Sequence, residues 1–266
     1  MGNYLNPGNE GFTIIRNGTY VDKTGMIGLI NQTIGTPQCL TCISRPRRFG
    51  KSFAAQMLCA YYDKTCDSSG LFDDLAIASD AQYRTHLNQY DVIYLDMTGV
   101  IGEASDMDIV PYIQRNVVRE LTEQYPKLRV VEGFAATLAN AVEAAGNKFV
   151  MLIDEWDAPI REAGSQPDNQ RRYLEFLRSL FKNSAMTNKI FAAAYMTGIL
   201  PIKKDGSQSA ISDFKEYTMI KPRQFGAYVG FTESEVRRLC QDQCRDFEKM
   251  KQWYDGYAFR EISSVY

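Results

Sequence analysis

The sharpest chemical signal in the chain is Ser44-Arg-Pro-Arg-Arg-Phe-Gly-Lys-Ser52, which follows one apolar run and opens a helical stretch. Strand, loop, then helix is the setting in which a loop wraps phosphate. The first backbone N–H groups of a helix have no partner within it and point at an anion. The helix dipole adds roughly half a positive charge there. Lys51 is placed to reach the outer phosphates of a nucleoside triphosphate, and the Ser52 hydroxyl to ligate Mg²⁺. Gly50 lets the backbone approach phosphate with no side chain between them. The candidate binding stretch is Arg45, Pro46, Arg47, Arg48, Phe49, Gly50, Lys51, Ser52 and Phe53. Arg45 stands where the pattern G-x-x-x-x-G-K-[ST] has its first glycine, so the stretch also reads as a basic surface turn containing Gly-Lys-Ser.

A second signal is Phe149-Val-Met-Leu-Ile-Asp-Glu-Trp-Asp157, an apolar run ending in acids. Asp154 is expected to hold Mg²⁺ through water. Glu155 is expected to orient and deprotonate an attacking water. The plainer alternative is a strand that exits to solvent through charged residues. The run Ile190–Met196 ends in Thr197-Gly198 and puts a hydroxyl at a third strand tip, a candidate sensor of the terminal phosphate.

The elements that must hold these residues follow from hydrophobic patterning. Apolar runs at 39–44, 92–95, 149–153, 190–196 and 217–220 are nearly continuous rather than alternating. That marks strands buried on both faces of a parallel sheet. Helical stretches are expected at 51–62, 109–124, 134–145 and 169–184. In the last of these, Tyr173, Phe176, Leu177 and Leu180 fall on one face. The alternation predicts an α/β domain. From about Gly230 the pattern changes: Thr232 is a candidate helix cap with Glu235 three residues on. The expected organisation is a core over 1–229 and the start of a small helical lid or linker over 230–266. The chain reaches Val265-Tyr266 without a stop signal for its last element, so a further domain is expected after it.

Bulk properties narrow the function classes. The chain has 266 residues, is 45% hydrophobic and 23% charged, and has a net charge of −2. This is the profile of a globular protein without a broad nucleic-acid-binding surface. No apolar run approaches the roughly 20 residues of a membrane span, and the N-terminus has no secretory pattern. The cytoplasm is therefore the expected compartment. Of the six cysteines, Cys39 and Cys42 fall on a strand run, where residues three apart point to opposite faces. Cys240 and Cys244 share a helical face and make half a metal site, with the single histidine, His86, far away in sequence. Reduced thiols, buried or incidental, are the expectation.

Taken in order, Tyr20-Val-Asp-Lys-Thr24, Arg45-Pro-Arg-Arg-Phe-Gly-Lys-Ser52, Ile153-Asp-Glu-Trp-Asp157, Thr197-Gly-Ile-Leu-Pro-Ile-Lys-Lys204 and Trp253-Tyr-Asp-Gly-Tyr257 resemble the bacterial AAA-ATPase-like family. The resemblance runs from about residue 10 to the end. It implies a P-loop NTPase core of the AAA/ASCE type, a parallel sheet of order 5-1-4-3-2 flanked by helices, and ATP with Mg²⁺ as ligands. It carries Lys51 and Ser52 over as phosphate and Mg²⁺ ligands and Asp154 and Glu155 as the acidic pair. The arginine at the first-glycine position belongs to the family pattern. Tyr20 and Asp22 lie in the segment where related ATPases contact adenine. Trp156 stands where the family more often has tyrosine. Members often continue into a PD-(D/E)xK nuclease-like domain, and no endonuclease activity is ascribed to these residues.

An ATPase of this kind usually needs a positive group on the transferring phosphate, often from another subunit, so a second copy of the chain is a candidate partner. Within the chain the candidates are Arg47, Arg48, Arg161, Arg171, Arg172, Lys203, Lys204, Lys221 and Arg223. Three functions remain open: ATP hydrolysis driving a conformational change in a larger protein, a nucleotide-held switch with little turnover, and a phosphotransferase. A glutamate beside the Mg²⁺ aspartate favours water over a substrate hydroxyl as acceptor.

Overall fold

A computed structural model describes residues 2–104, 108–162, 167–202 and 213–254. Lys203, Lys204 and the Asp255–Tyr257 part of the last motif lie outside the described residues. Five strands form one sheet: β1 (Leu40–Ser44), β2 (Asp91–Asp96), β3 (Phe149–Asp154), β4 (Phe191–Gly198) and β5 (Lys215–Tyr217). Every pairing is parallel and the order is β2-β3-β4-β1-β5, which reads 5-1-4-3-2 from the β5 edge. All residues of β1, β3 and β4 are buried, as expected of central strands with helices on both faces.

Alternation along the strands builds two cores. Ile93, Leu95, Met151, Ile153 and Met196 face the helices Ile109–Gln124, Phe134–Ala145 and Pro167–Phe181. Val92, Val150, Leu152 and Tyr195 face the other side, with the first three helices, α1 (Glu10–Arg16), α2 (Gly25–Asn31) and α3 (Lys51–Tyr62). Fully burying one such aliphatic or aromatic side chain contributes about 1.5–3 kcal/mol. The second core therefore fixes α3 against the sheet. The β2 edge is covered by the N-terminal segment, where Leu5 bridges Ile93 and the Glu120 carboxylate accepts from the N–H groups of Asn3, Tyr4 and Leu5. That covering removes an exposed sheet edge.

Three expectations are corrected. The fifth strand lies at Lys215–Tyr217 rather than 217–220, because backbone pairing with β1 selects a polar segment. Its Glu216 carboxylate accepts from the Ser44 hydroxyl and the Ile202 N–H, whereas Ile220 is 89% exposed. The helix expected over 169–184 runs Pro167–Phe181, and a separate helix, Ser184–Ile190, starts at an Asn183 cap. Cys244 lies past the end of the helix Glu233–Asp242, so Cys240 and Cys244 do not share a helical face. The six cysteines are free, and burial pushes the Cys42 and Cys59 thiols well up. Among the described residues no helix is long and apolar enough to cross a membrane.

The capping box foreseen at Thr232 and Glu235 is present, and Glu235 has a second role. Its carboxylate also receives the Lys23 ammonium at 2.6 Å, joining the C-terminal helix to the segment before α2. Burial lowers the Lys23 pKa, and Glu235 opposes that shift. Glu235→Ala removes a cap and strands a mostly buried ammonium. It is expected to cost about 2 kcal/mol in urea unfolding, and Lys23→Met together with it less than the sum of the two single changes.

Candidate functional site

Parallel pairing brings the carboxyl ends of β1, β3 and β4 to one edge of the sheet, where α/β domains bind ligands. After β1 the loop 45–50 turns into α3. Arg48 and Gly50 both have left-handed backbone, at φ 70° and 75°. A Cβ on Gly50 would meet nothing within 4 Å, so glycine is favoured there by the backbone angle and not by crowding. Lys51, the first residue of α3, folds back over the loop. Its Nζ donates to the Pro46 carbonyl at 3.0 Å and lies 3.3 Å from Glu155 Oε1.

The acids come from the last residue of β3 and the turn after it. Asp154 is buried and accepts hydrogen bonds from the hydroxyls of Ser52 and Thr197. Burial raises the Asp154 pKa, Asp96 and Glu155 add to the rise, and the two hydroxyls oppose it. Asp96 is its register partner at the tip of β2. Glu155 has φ 52°, a conformation rare outside glycine, and its N–H donates to Asp154 Oδ1 at 3.1 Å and Thr197 Oγ1 at 3.2 Å. Trp156 N–H donates to the Thr197 carbonyl at 2.8 Å, pinning the turn to β4. Gly198 is required where these strands converge, since a Cβ there would lie 2.6 Å from Trp156 Nε1 and 2.7 Å from Asp157 Oδ1.

A cavity of about 590 Å³ opens over this edge. Its polar lining includes Arg47, Arg48, Lys51, Ser52, Thr98 and Glu155. Its apolar lining includes Tyr20, Val21, Phe53, Met57, Tyr228 and Phe231, with Phe53 58% and Phe231 40% exposed. Lys23 Nζ sits 5.7 Å from the centre of the Phe231 ring, so the C-terminal segment forms part of the wall.

The sequence-derived residues separate into two groups. Tyr20, Arg47, Arg48, Phe49, Gly50, Lys51, Ser52, Phe53 and Glu155 line the cavity. Arg45, Pro46, Asp22, Asp154 and Thr197 are not among its lining residues. Arg45 is fully buried, and its guanidinium donates to the Ser44 and Tyr217 carbonyls, both at 3.1 Å. Burial pushes its pKa down to about 10. Its place is therefore between β1 and β5, outside the lining of the cavity. Asp22 is likewise committed, with one oxygen on the Thr24 N–H and hydroxyl and the other on the Ala76 N–H. Thr197, placed by its sequence as a phosphate sensor, is fully buried with its hydroxyl on Asp154 and the Glu155 N–H, so it positions the acids. Asp154 and Ser52 are in hydrogen-bond contact, and two neighbouring hard oxygen donors are of the type that suits Mg²⁺, which usually keeps several waters. Among the described residues no group of three or more His, Cys, Asp or Glu could hold a metal.

Lys23 lies in the Tyr20–Thr24 segment read from the sequence, whereas Thr98, Tyr228 and Phe231 were not legible as site residues, because long-range packing alone brings them to the cavity. Arg161 was legible only as one basic residue among many. Its Nη2 lies 2.6 Å from Glu155 Oε2 and its Nε 2.8 Å from Asp157 Oδ2. The spacing from Asp157, four residues on a helical turn, is the signal that singles it out.

A family profile described as "Predicted AAA-ATPase" matches residues 8–207. The chain belongs to the AAA-ATPase-like family. The match includes the loop 45–50, both acids and the β4 tip of this AAA-ATPase-like chain. A curated relative, an uncharacterized protein in the vnfD 5′ region of Azotobacter chroococcum mcd 1, is 26% identical over 262 residues. The alignment covers 94% of this chain and 48% of the relative, so the chain spans about half the relative's length.

The two arginines that flank Pro46 should separate cleanly by measurement. Arg45→Met is expected to lower unfolding stability by about 2–3 kcal/mol, through loss of buried hydrogen bonds between β1 and β5. Exposed Arg47→Met should leave it within about 0.5 kcal/mol. Comparable losses in the two variants would contradict this assignment of Arg45.

Proposed function

We propose that this domain binds ATP in the 590 Å³ cavity and hydrolyses it with Mg²⁺. The observation that carries the reading is the convergence of Lys51 and Glu155, 3.3 Å apart, one at the start of α3 and the other just past β3. A phosphate-binding cation and an acid able to take a proton from water meet at the mouth of one cavity. The volume falls within the range of about 300–1,000 Å³ common for small-molecule sites. The apolar wall of Tyr20, Phe53 and Phe231 takes the base. The α3 N-terminus, Lys51, Arg47 and Arg48 take the phosphates.

In this mechanism Lys51 exchanges the Glu155 carboxylate for phosphate oxygens. Ser52 and Asp154 would hold Mg²⁺, which would supply positive charge to offset that of the phosphates. Glu155 accepts a proton as a water oxygen bonds to the γ-phosphorus. The bond from that phosphorus to the bridging oxygen breaks, leaving ADP and phosphate. Thr197 holds Asp154 and the Glu155 backbone in place throughout. We assign 1–229 to the catalytic core and the helices after residue 230 to a lid, because Phe231 and Lys23 together close one wall. We propose that the cycle drives a conformational change.

A second reading, a nucleotide-held switch that turns over little, draws on one observation: both Glu155 oxygens lie against cations. Calorimetry with Mg-ATP and a steady-state phosphate assay distinguish the two. Lys51→Ala is expected to weaken ATP binding at least about 100-fold, or about 2.7 kcal/mol. Glu155→Gln should bind like wild type while hydrolysis falls about 10²–10⁴-fold. Tight Mg-ATP binding by the wild type without measurable phosphate release would favour the switch.

A further inference from the structure

Two cations hold the Glu155 carboxylate from opposite sides, and they hold it unequally. Arg161 Nη2 is 2.6 Å from Oε2, whereas Lys51 Nζ is 3.3 Å from Oε1 and also bonded to the Pro46 carbonyl. Arg161 is in turn fixed. It ends a single helical turn, Ala158–Arg161, and its Nε donates to Asp157, which is fully buried. Asp157 accepts from the Leu200 N–H at 2.8 Å and the Ile199 N–H at 3.2 Å, where the chain leaves β4. A guanidinium presents its donors in one rigid plane, so anchoring Nε fixes the direction of Nη2. The chain Leu200–Asp157–Arg161–Glu155 thus runs from the sheet to the carboxylate without a free hinge between them.

We propose that Arg161 is the positioning residue for Glu155, holding Oε2 in place so that only Oε1 changes partner. Oε1 pairs with Lys51 before nucleotide arrives and with the attacking water once Lys51 has moved onto phosphate. The proposal rests on the reading of Glu155 as the base and adds what orients it. The Lys51 contact is the longer of the two and its ammonium is shared with a carbonyl, so phosphate displaces that side first. The Arg161 contact is charge-assisted, short and backed by a buried acid, so it persists. Holding one oxygen keeps the other within reach of a water, the condition for proton transfer. A glutamate without this restraint samples other rotamers and pairs freely with Lys51, which lowers the share of productive complexes.

The test is a double-mutant cycle with Arg161→Ala and Glu155→Gln, measured as single-turnover hydrolysis of Mg-ATP over hours, with ATP affinity and urea midpoint recorded for each protein. Arg161→Ala should lower the hydrolysis rate about 10- to 100-fold and change ATP affinity less than about threefold. In the Glu155→Gln background the same change should lower the residual rate less than about twofold, since the group it positions is already gone. Arg161→Lys, which keeps the charge but cannot span Asp157 and Glu155 as a planar fork, should fall between wild type and Arg161→Ala; it carries the cycle if the alanine variant does not fold. Multiplicative loss in the double variant, or loss of ATP binding, would overturn the proposal in favour of Arg161 acting on phosphate itself or on the fold. A dead Glu155→Gln beside a fully active Arg161→Ala would remove the positioning role and leave the base. Wild-type turnover in Glu155→Gln would remove both.

Discussion

The turn after β3 depends on one buried hydroxyl. Thr197 at the end of β4 is bonded to the Asp154 carboxylate and the Glu155 N–H, and its carbonyl receives the Trp156 N–H. Through it the end of β4 dictates the turn after β3. That turn costs energy: Glu155 sits in a left-handed conformation, a state that persists only where the surroundings over-determine it. Gly198 follows Thr197 because Trp156 and Asp157 close over that point within 3 Å of where a Cβ would be. Two acids that would otherwise splay into solvent are thereby held beside α3.

Electrostatics complete what this turn begins. Asp154 has no cation of its own among the contacts described, and its carboxyl is raised by burial and by the acids on either side. Glu155 by contrast lies between Lys51 and Arg161, and Asp157 below it is paired with Arg161 and two backbone N–H groups. Neighbouring acids are therefore treated differently. Among the contacts described, one is held by hydrogen bonds, and the others are paired with cations. Burying a carboxylate without a cation is costly, and the Ser52 and Thr197 hydroxyls and the Glu155 N–H offset part of that cost at Asp154.

Much of this was legible from residue order. Near-continuous apolar runs located β1, β3 and β4 because burial on both faces leaves no alternation to confuse the pattern. Lys51–Tyr62, Ile109–Gln124 and Phe134–Ala145 appear at the bounds their periodicity marks. The edge strand was misplaced because an edge is held by backbone bonds, and Lys215 and Glu216 carry no apolar signature. Arg45 read as a ligand-facing cation, since its neighbours in sequence are Arg47 and Arg48. Only the folded chain shows that one arginine of that loop turns inward to the carbonyls of β1 and β5.

The sequence by itself determined the layered α/β architecture, the loop that begins at Ser44, the acidic end of β3 and membership of the AAA-ATPase-like family. Each of these is written in local patterns, whether a period, a glycine at a turn or a polar residue closing an apolar run. Tertiary structure alone decided which side chains meet. It joined Lys23 to Glu235 across the chain, made Phe231 a wall of the cavity, turned Thr197 toward Asp154 and set Arg161 against Glu155. The physical reason is that hydrophobic patterning specifies which face of an element is buried but not which neighbour it faces. Partner choice follows from sheet order and packing, and the charges on this edge were sorted only when those were in place.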